Sequence, residues 1–183
     1  MNDLKQLFDS YNICARFAPG FLFIVSIYFL LGYDITNLKD NSIFSIALLV
    51  ILSGVCGFIS ATLIKIVERK LWKLTGNPTI IYLKIVEKFF YQELLEKHKN
   101  DKNVMVDILR TTRDDNKLFW KNIAYGFFRN SILLSLMCFY FSHTQYFIAN
   151  LIAFVATIIM TFVCAKDYAH QAIKSYQEAK HKS

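Results

Sequence analysis

The chain has 183 residues, a formal net charge of +7 and a hydrophobic fraction of 55%, with mean hydropathy +0.33. That length suits one compact unit rather than two sizeable ones, and the apolar content exceeds the ~45–50% usual for soluble domains. Two prolines, six glycines and the lack of any fixed-period repeat leave no place for a Gly/Pro-rich linker, a low-complexity tract or a repeat array.

Residues Met1–Ala15 place Leu4, Leu7, Phe8 and Tyr11 at helical spacing, which predicts a short amphipathic helix lying along a membrane surface. Asp3, Lys5, Asp9 and Arg16 mix both signs, and Leu31-Gly32-Tyr33-Asp34 is no small-x-small cleavage site. The first apolar segment is therefore expected to stay in the protein rather than act as a cleaved signal. That segment, Phe17–Tyr33, is the first predicted span, with Pro19 near its start, where a missing N–H costs little. Asp34–Asn41 reads as a polar loop and Ser42 as the helix cap that opens the second span.

Ser42–Ile64 runs 23 residues without a charged side chain. At ~1.5 Å per residue such a helix crosses a hydrocarbon core of ~30 Å. The periodicity then persists through Ile66, Val67, Leu71 and Leu74 among basic residues, so the helix continues until Gly76 or Asn77 caps it and Pro78 stops it. One amphipathic helix is predicted over Thr79–His98, with Ile81, Ile85 and Phe89 as its apolar face. A polar turn, Lys99–Asn103, precedes a short helix over Val104–Thr112, and Asp114-Asp115-Asn116 reads as a loop or cap. The third span is predicted from Asn122 to Ser142 with Arg129 inside it, the fourth from Phe147 to Ala165. His143–Tyr146 leaves room only for a tight turn between them. The tail from Lys166 reads as helical, with Ala169, Ala172, Ile173 and Tyr176 on one side.

The expected fold is thus an all-α integral-membrane helical bundle of four transmembrane helices with an amphipathic helical layer. Its sections are residues 1–64 (surface helix and spans one and two), 65–121 (the layer), 122–165 (spans three and four) and 166–183 (the tail). Fourteen Lys and Arg against eight Asp and Glu between Lys65 and Arg129, with almost none in the other two loops, put the layer and both termini on the cytoplasmic side.

Small residues recur on the second span at Ser53, Gly54, Gly57, Ser60 and Ala61, a pattern that lets two helices approach closely. The partner is either another subunit or another helix of the same chain. Ser131, Ser135 and Ser142 (with Cys138) form a faint polar stripe on the third span, and Asn150, Thr157 and Thr161 one on the fourth. These either line a narrow water path in a homo-oligomer or bond to neighbouring helices and their own backbone. Arg129, with Asn122, Tyr125 and Asn130, forms a candidate polar cluster at the cytoplasmic mouth, the alternative being an arginine that snorkels to the interface. The basic central segment fits contact with anionic membrane lipids, and no nucleic-acid module or Arg-rich stripe is present.

Catalytic motifs are missing from the sequence. His98, His143, His170 and His181 show no metal-ligand spacing, and there is no phosphate-binding glycine loop or nucleophile elbow, so no enzyme activity, metal or cofactor is expected. Cys14, Cys56, Cys138 and Cys164 lie far apart in or beside apolar runs and read as reduced thiols.

The GNPT turn at Gly76–Thr79 and the NIAYGFFRN run at Asn122–Asn130 resemble segments of small bacterial membrane proteins. The four-span layout with a basic helical layer is similar to that of accessory membrane proteins encoded beside type VI-B CRISPR effectors. This resemblance implies an inner-membrane role in antiviral defence, in one case as an oligomeric pore, with a cytoplasmic defence effector as a partner. The R-x(4–6)-H signature attributed to part of that group is missing: no Arg lies five to seven residues before any histidine, so no ribonuclease residue is carried over. A non-conducting scaffold that docks a cytoplasmic partner and a small transporter are the other functions the sequence allows.

Overall fold

A computed structural model describes residues 9–32, 43–142 and 146–182. Every regular element among them is helical: α1 Ser10–Leu30, α2 Ile43–Thr75, α3 Pro78–Ile85, α4 Lys88–His98, α5 Asp101–Thr111, α6 Asn116–Phe141 and α7 Phe147–Lys182. Four of these, α1, α2, α6 and α7, are long and apolar enough to cross a membrane. The chain divides into two compact units. One comprises residues up to Val67 with Gly126–Thr161, the other Glu68–Tyr125 with Phe162 onward.

In the first unit α1 begins earlier than expected. Asp9 caps it, its Oδ1 accepting from Asn12 N at 2.7 Å, and residues 10–15 belong to the same long apolar helix rather than to a separate one. The rest of the predicted surface helix, the Asp34–Asn41 loop, Ser42 and most of the His143–Tyr146 turn lie outside the described residues. Because α1 starts at Ser10, Pro19 falls inside the helix and cannot donate to the Ala15 carbonyl, while its ring crowds that same carbonyl. The turn before it is correspondingly a π-helical stretch, Ile13–Phe17, in which Ala18 N reaches back to Ile13 O. A wider turn accommodates the ring without ending the helix. The helix closes at Leu30, and Gly32 takes φ +77°.

The interior of this unit is small and polar: Ala15, Ser53, Ser60, Ala61 and Asn130 are buried, as are Gly20 and Gly57. Leu134 is buried as well, but many of the large apolar side chains are exposed, among them Leu22, Ile51, Ile59, Ile148, Ile152 and Ile159. The most apolar window of α7 has a mean hydropathy of 2.4, yet only 6% of it is buried.

The second unit has the opposite arrangement. Ile80, Leu83, Leu94, Val104, Ile108, Leu118, Ala172, Ile173 and Tyr176 form a buried apolar core, and the tail side of Ala169, Ala172, Ile173 and Tyr176 is its α7 contribution. The tail is no separate segment, because α7 continues through it. Gly76 supplies the left-handed turn after α2 at φ +93°, and Asn77 then caps α3, its Oδ1 accepting from Thr79 N at 2.9 Å. The single helix expected over Thr79–His98 is instead α3 and α4, broken at Val86-Glu87 with no glycine or proline to mark it. Glu87 there takes φ −111°, ψ 51°. The predicted apolar face is also displaced. Ile80, Leu83 and Leu94 enter the core, whereas Ile85 and Phe89 are 74% and 89% exposed. Tertiary bonds account for the break. Lys84 Nζ (2.7 Å) and Tyr91 Oη (2.6 Å) both reach the carboxylate of Asp101, tying α3 and α4 to the first turn of α5. That helix starts at Asp101, three residues before the expected Val104, with Asn100 as its cap. Likewise α6 starts at Asn116 rather than Asn122, Asp115 accepting from Lys117 N.

Candidate functional site

The polar groups of the first unit gather in two adjoining places. The first is a three-helix junction around the π-helical stretch of α1. There Asn130 of α6, fully buried, donates through Nδ2 to the Ala15 carbonyl at 2.6 Å. This is the carbonyl that Pro19 leaves without its usual helical donor. Asn130 Oδ1 accepts from Arg129 Nε at 3.2 Å, and the Asn130 backbone carbonyl accepts from Ser60 Oγ at 2.6 Å. One asparagine thus links α1, α2 and α6.

Glycines bring the backbones into contact at the same junction. A Cβ placed on Gly57 would stand 2.0 Å from Arg16 O, and one on Gly20 would stand 1.9 Å from Ser53 O. On the far side a Cβ on Gly126 would meet Ala15 Cβ and Tyr11 Oη at 3.0 Å. The small-residue stripe Ser53, Gly57, Ser60 and Ala61 is therefore buried within one chain, while Gly54 faces only the edge of the Phe17 ring. The Arg16 guanidinium lies over the rings of Tyr11 and Phe58, at 5.7 and 5.3 Å from their centroids. That contact partly replaces the water a cation gives up beside an apolar bundle.

The second place is a cavity of about 220 Å³ between α1, α6 and α7. Ser131, Ser135 and Cys138 reach it from α6, Asn150 and Thr157 from α7, and Ser26 from α1, among apolar neighbours that include Phe23, Phe127 and Phe128. The two polar stripes read from the sequence meet here. Ser142 and Thr161 do not line it: their hydroxyls donate to Phe139 O and Thr157 O. Ser26 is the residue that stripe reasoning missed. A lone serine in an apolar helix has no periodic companion, and its isolation was the available signal.

The four residues of the predicted mouth cluster separate. Arg129 and Asn130 meet in the junction of the first unit, whereas Asn122 and Tyr125 belong to the second. There Tyr125 donates its hydroxyl to Glu68, which is buried, and stacks on Tyr168. Two further groups of the second unit escaped sequence reasoning because their members are far apart along the chain. Asp107 accepts from Tyr176 and lies 3.1 Å from His98 Nε2. Asp115 accepts from Ser175 and from Gln171 Nε2.

Charge in the second unit is tuned by these contacts. Burial raises the Asp101 carboxyl, but the bonds from Lys84 and Tyr91 outweigh it and hold the group below the ordinary aspartate range. The Ser175 bond, with smaller help from the Lys117 backbone and Gln171, does the same for Asp115 against a partial desolvation. Burial first, then the bond to Asp107, pushes the Tyr176 phenol far up, so it stays protonated at neutral pH and keeps its donor bond to Asp107. No cluster of three metal-ligating side chains occurs among the described residues. No family model, no curated protein and no solved structure matches the chain.

Proposed function

We propose that the protein is a bacterial inner-membrane protein, with both termini cytoplasmic, that assembles as a homo-oligomer and opens a membrane-perturbing pore as an accessory of antiviral, CRISPR-type defence. The observation that carries the membrane and pore parts is one contrast: a unit apolar on its outside holds a half-open, largely apolar cavity into which hydroxyls from three helices reach. In water, the exposed Leu, Ile and Phe of α7 would be an aggregation hazard, whereas in lipid they are solvated. Polar side chains at membrane depth need a partner or a water path, and oxygens gathered around one cavity supply such a path. Lipids are the first partner, the lysine-rich segment favouring an anionic surface. The assignment to antiviral defence rests on the sequence resemblance alone.

Dye-loaded liposomes carrying the purified chain test this. Leakage that scales with protein density and disappears on filling the cavity, as in Ser135→Leu, is the expected result. Tight vesicles at high protein density overturn the pore. A second reading, a non-conducting scaffold, is favoured by Ile85, Val86 and Phe89, which stand exposed at the α3–α4 break and would suit a docked cytoplasmic protein. Tight vesicles together with a stoichiometric co-purifying partner that is lost on Phe89→Ser would favour it.

A further inference from the structure

We infer that the cavity framed by α1, α6 and α7 binds a monovalent cation, an inference that rests on the membrane-embedded reading above. The argument is an accounting of protons. Ser26 Oγ donates to Leu22 O at 2.8 Å, Ser131 Oγ to Phe127 O at 2.8 Å, Ser135 Oγ to Ile132 O at 3.0 Å and Thr157 Oγ1 to Ala153 O at 2.7 Å. A carbonyl oxygen can only accept, so in each pair the hydroxyl proton is committed to the backbone of its own helix. A hydroxyl has one proton and two lone pairs. What these four side chains have left to offer is lone pairs alone.

The cavity is therefore rich in acceptors and poor in donors. Among its lining residues the donor left is the Asn150 amide, which brings an acceptor oxygen as well, while the Cys138 thiol is paired with Ser26. An anion would meet oxygens it cannot bond to. No Lys, Arg or His lines the cavity, and no Asp or Glu does either. Without a carboxylate the site cannot compensate a strongly hydrated divalent ion, for which carboxylates are the usual ligands. A singly charged ion loses less on leaving water, because the solvation cost grows with the square of the charge. Potassium, sodium and ammonium share the required chemistry. A space of about 220 Å³ holds any of them with part of a water shell.

Thermal unfolding of the full chain in detergent, titrated with KCl, NaCl or NH4Cl and kept at constant ionic strength with N-methyl-D-glucamine chloride, tests the inference. A ligand that binds only the folded state raises the melting temperature as its concentration passes the dissociation constant. The expected result is a saturable rise with at least one of the small cations. Its half-saturating concentration should increase by about tenfold in Thr157→Val, which removes a cation ligand at almost constant volume, and should recover in Thr157→Ser. The cation that works identifies the source. Identical melting in all four salts overturns the site, as does a rise that Thr157→Val leaves unmoved. The pore fails separately: a saturable cation response with tight vesicles removes the pore and keeps the site, and leakage without any cation response does the reverse.

Discussion

Replacing Asn130 by Leu removes the donor that satisfies the Ala15 carbonyl and the acceptor that holds Arg129 Nε. Leucine keeps the branching of asparagine but is bulkier, so crowding at this fully buried position adds to the polar loss. A buried carbonyl left without a partner costs about 1–3 kcal/mol, and the full burial of Asn130 places the loss toward the upper half of that range. Asn130→Leu should therefore lower stability by about 2 kcal/mol, roughly a thirtyfold shift in the folded-to-unfolded ratio. The structure also specifies the rescue. Asn130 Nδ2 is the side-chain donor at Ala15 O, where Pro19 has no N–H to give. Pro19→Ala restores a donor at the residue that would normally serve Ala15 in an α-helix. Alone, Pro19→Ala should cost a little, through lost ring packing at a buried position. Combined with Asn130→Leu it should recover about 1 kcal/mol or more, and that coupling is the quantity a double-mutant cycle isolates. Unfolding in mixed micelles, followed by helical circular dichroism, reads all four species. Strict additivity of the two changes would refute the claim that the asparagine serves the carbonyl stripped by the proline.

Gly57→Ala sets a methyl 2.0 Å from the Arg16 carbonyl, a backbone atom that cannot swing aside, and should destabilise by about 3 kcal/mol or more, whereas Gly54→Ala meets only the Phe17 ring edge at 3.2 Å and should cost well under 1 kcal/mol. The same unfolding series checks this, and equal damage at both positions would mean the stripe is read wrongly. In the second unit Leu83→Ala should cost about 2–5 kcal/mol through a core cavity, and Phe89→Ser less than about 0.5 kcal/mol; proteolysis rates of the two variants separate a core face from an exposed one. Asp101 and Asp115 titrate below their ordinary range in the folded chain. Their contribution is thus present above the unfolded aspartate value of ~3.9 and is lost as pH falls through the lower folded values. A melting profile between pH 6 and 2 should show an acid limb that Asp101→Asn flattens, and an unchanged limb would remove the Lys84–Asp101–Tyr91 contact from the account.

Much of the fold was legible because the strongest signals were local and long. The uncharged run in α2 identifies its own helix, Gly76-Asn77-Pro78 its own turn, and Ala169, Ala172, Ile173 and Tyr176 the buried side of the α7 tail. Misreadings arose where a distant residue decides the outcome. Nothing in the sequence around Val86 signals a break, because the groups that hold α3 and α4 apart converge on Asp101. Ile85 and Phe89 have helical spacing as good as that of Leu83 and Leu94, and only the rest of the core says which set it takes. At the site, the polar stripes of α6 and α7 were visible as periodicity, but their meeting with Ser26 is a fact of packing. Pro19 was misjudged for a related reason. A proline at the first turn of a helix is harmless, and the early start of α1 at Ser10 turned it into an interior proline that needs an asparagine from another helix.

The two units invert each other's rule for what is buried, and that inversion constrains the solvent of the first. In the second unit Ile80, Leu83, Leu94, Val104 and Ile108 are inside while charged side chains such as Lys88 and Lys99 lie outside, the arrangement water imposes. In the first, serine, glycine, alanine and one asparagine make up most of the centre, with Leu134 and Cys138 beside them, and most leucines, isoleucines and phenylalanines take the rim. Burying small residues releases little apolar area from water, so hydrophobic burial alone holds that centre weakly. What remains to hold it is close backbone approach at Gly20 and Gly57 and the bonds of Ser60 and Asn130, forces that operate equally well when the surroundings are as apolar as the rim. Close packing and bonds of this kind keep their strength in apolar surroundings, whereas the core of the second unit rests on hydrophobic burial, which needs water.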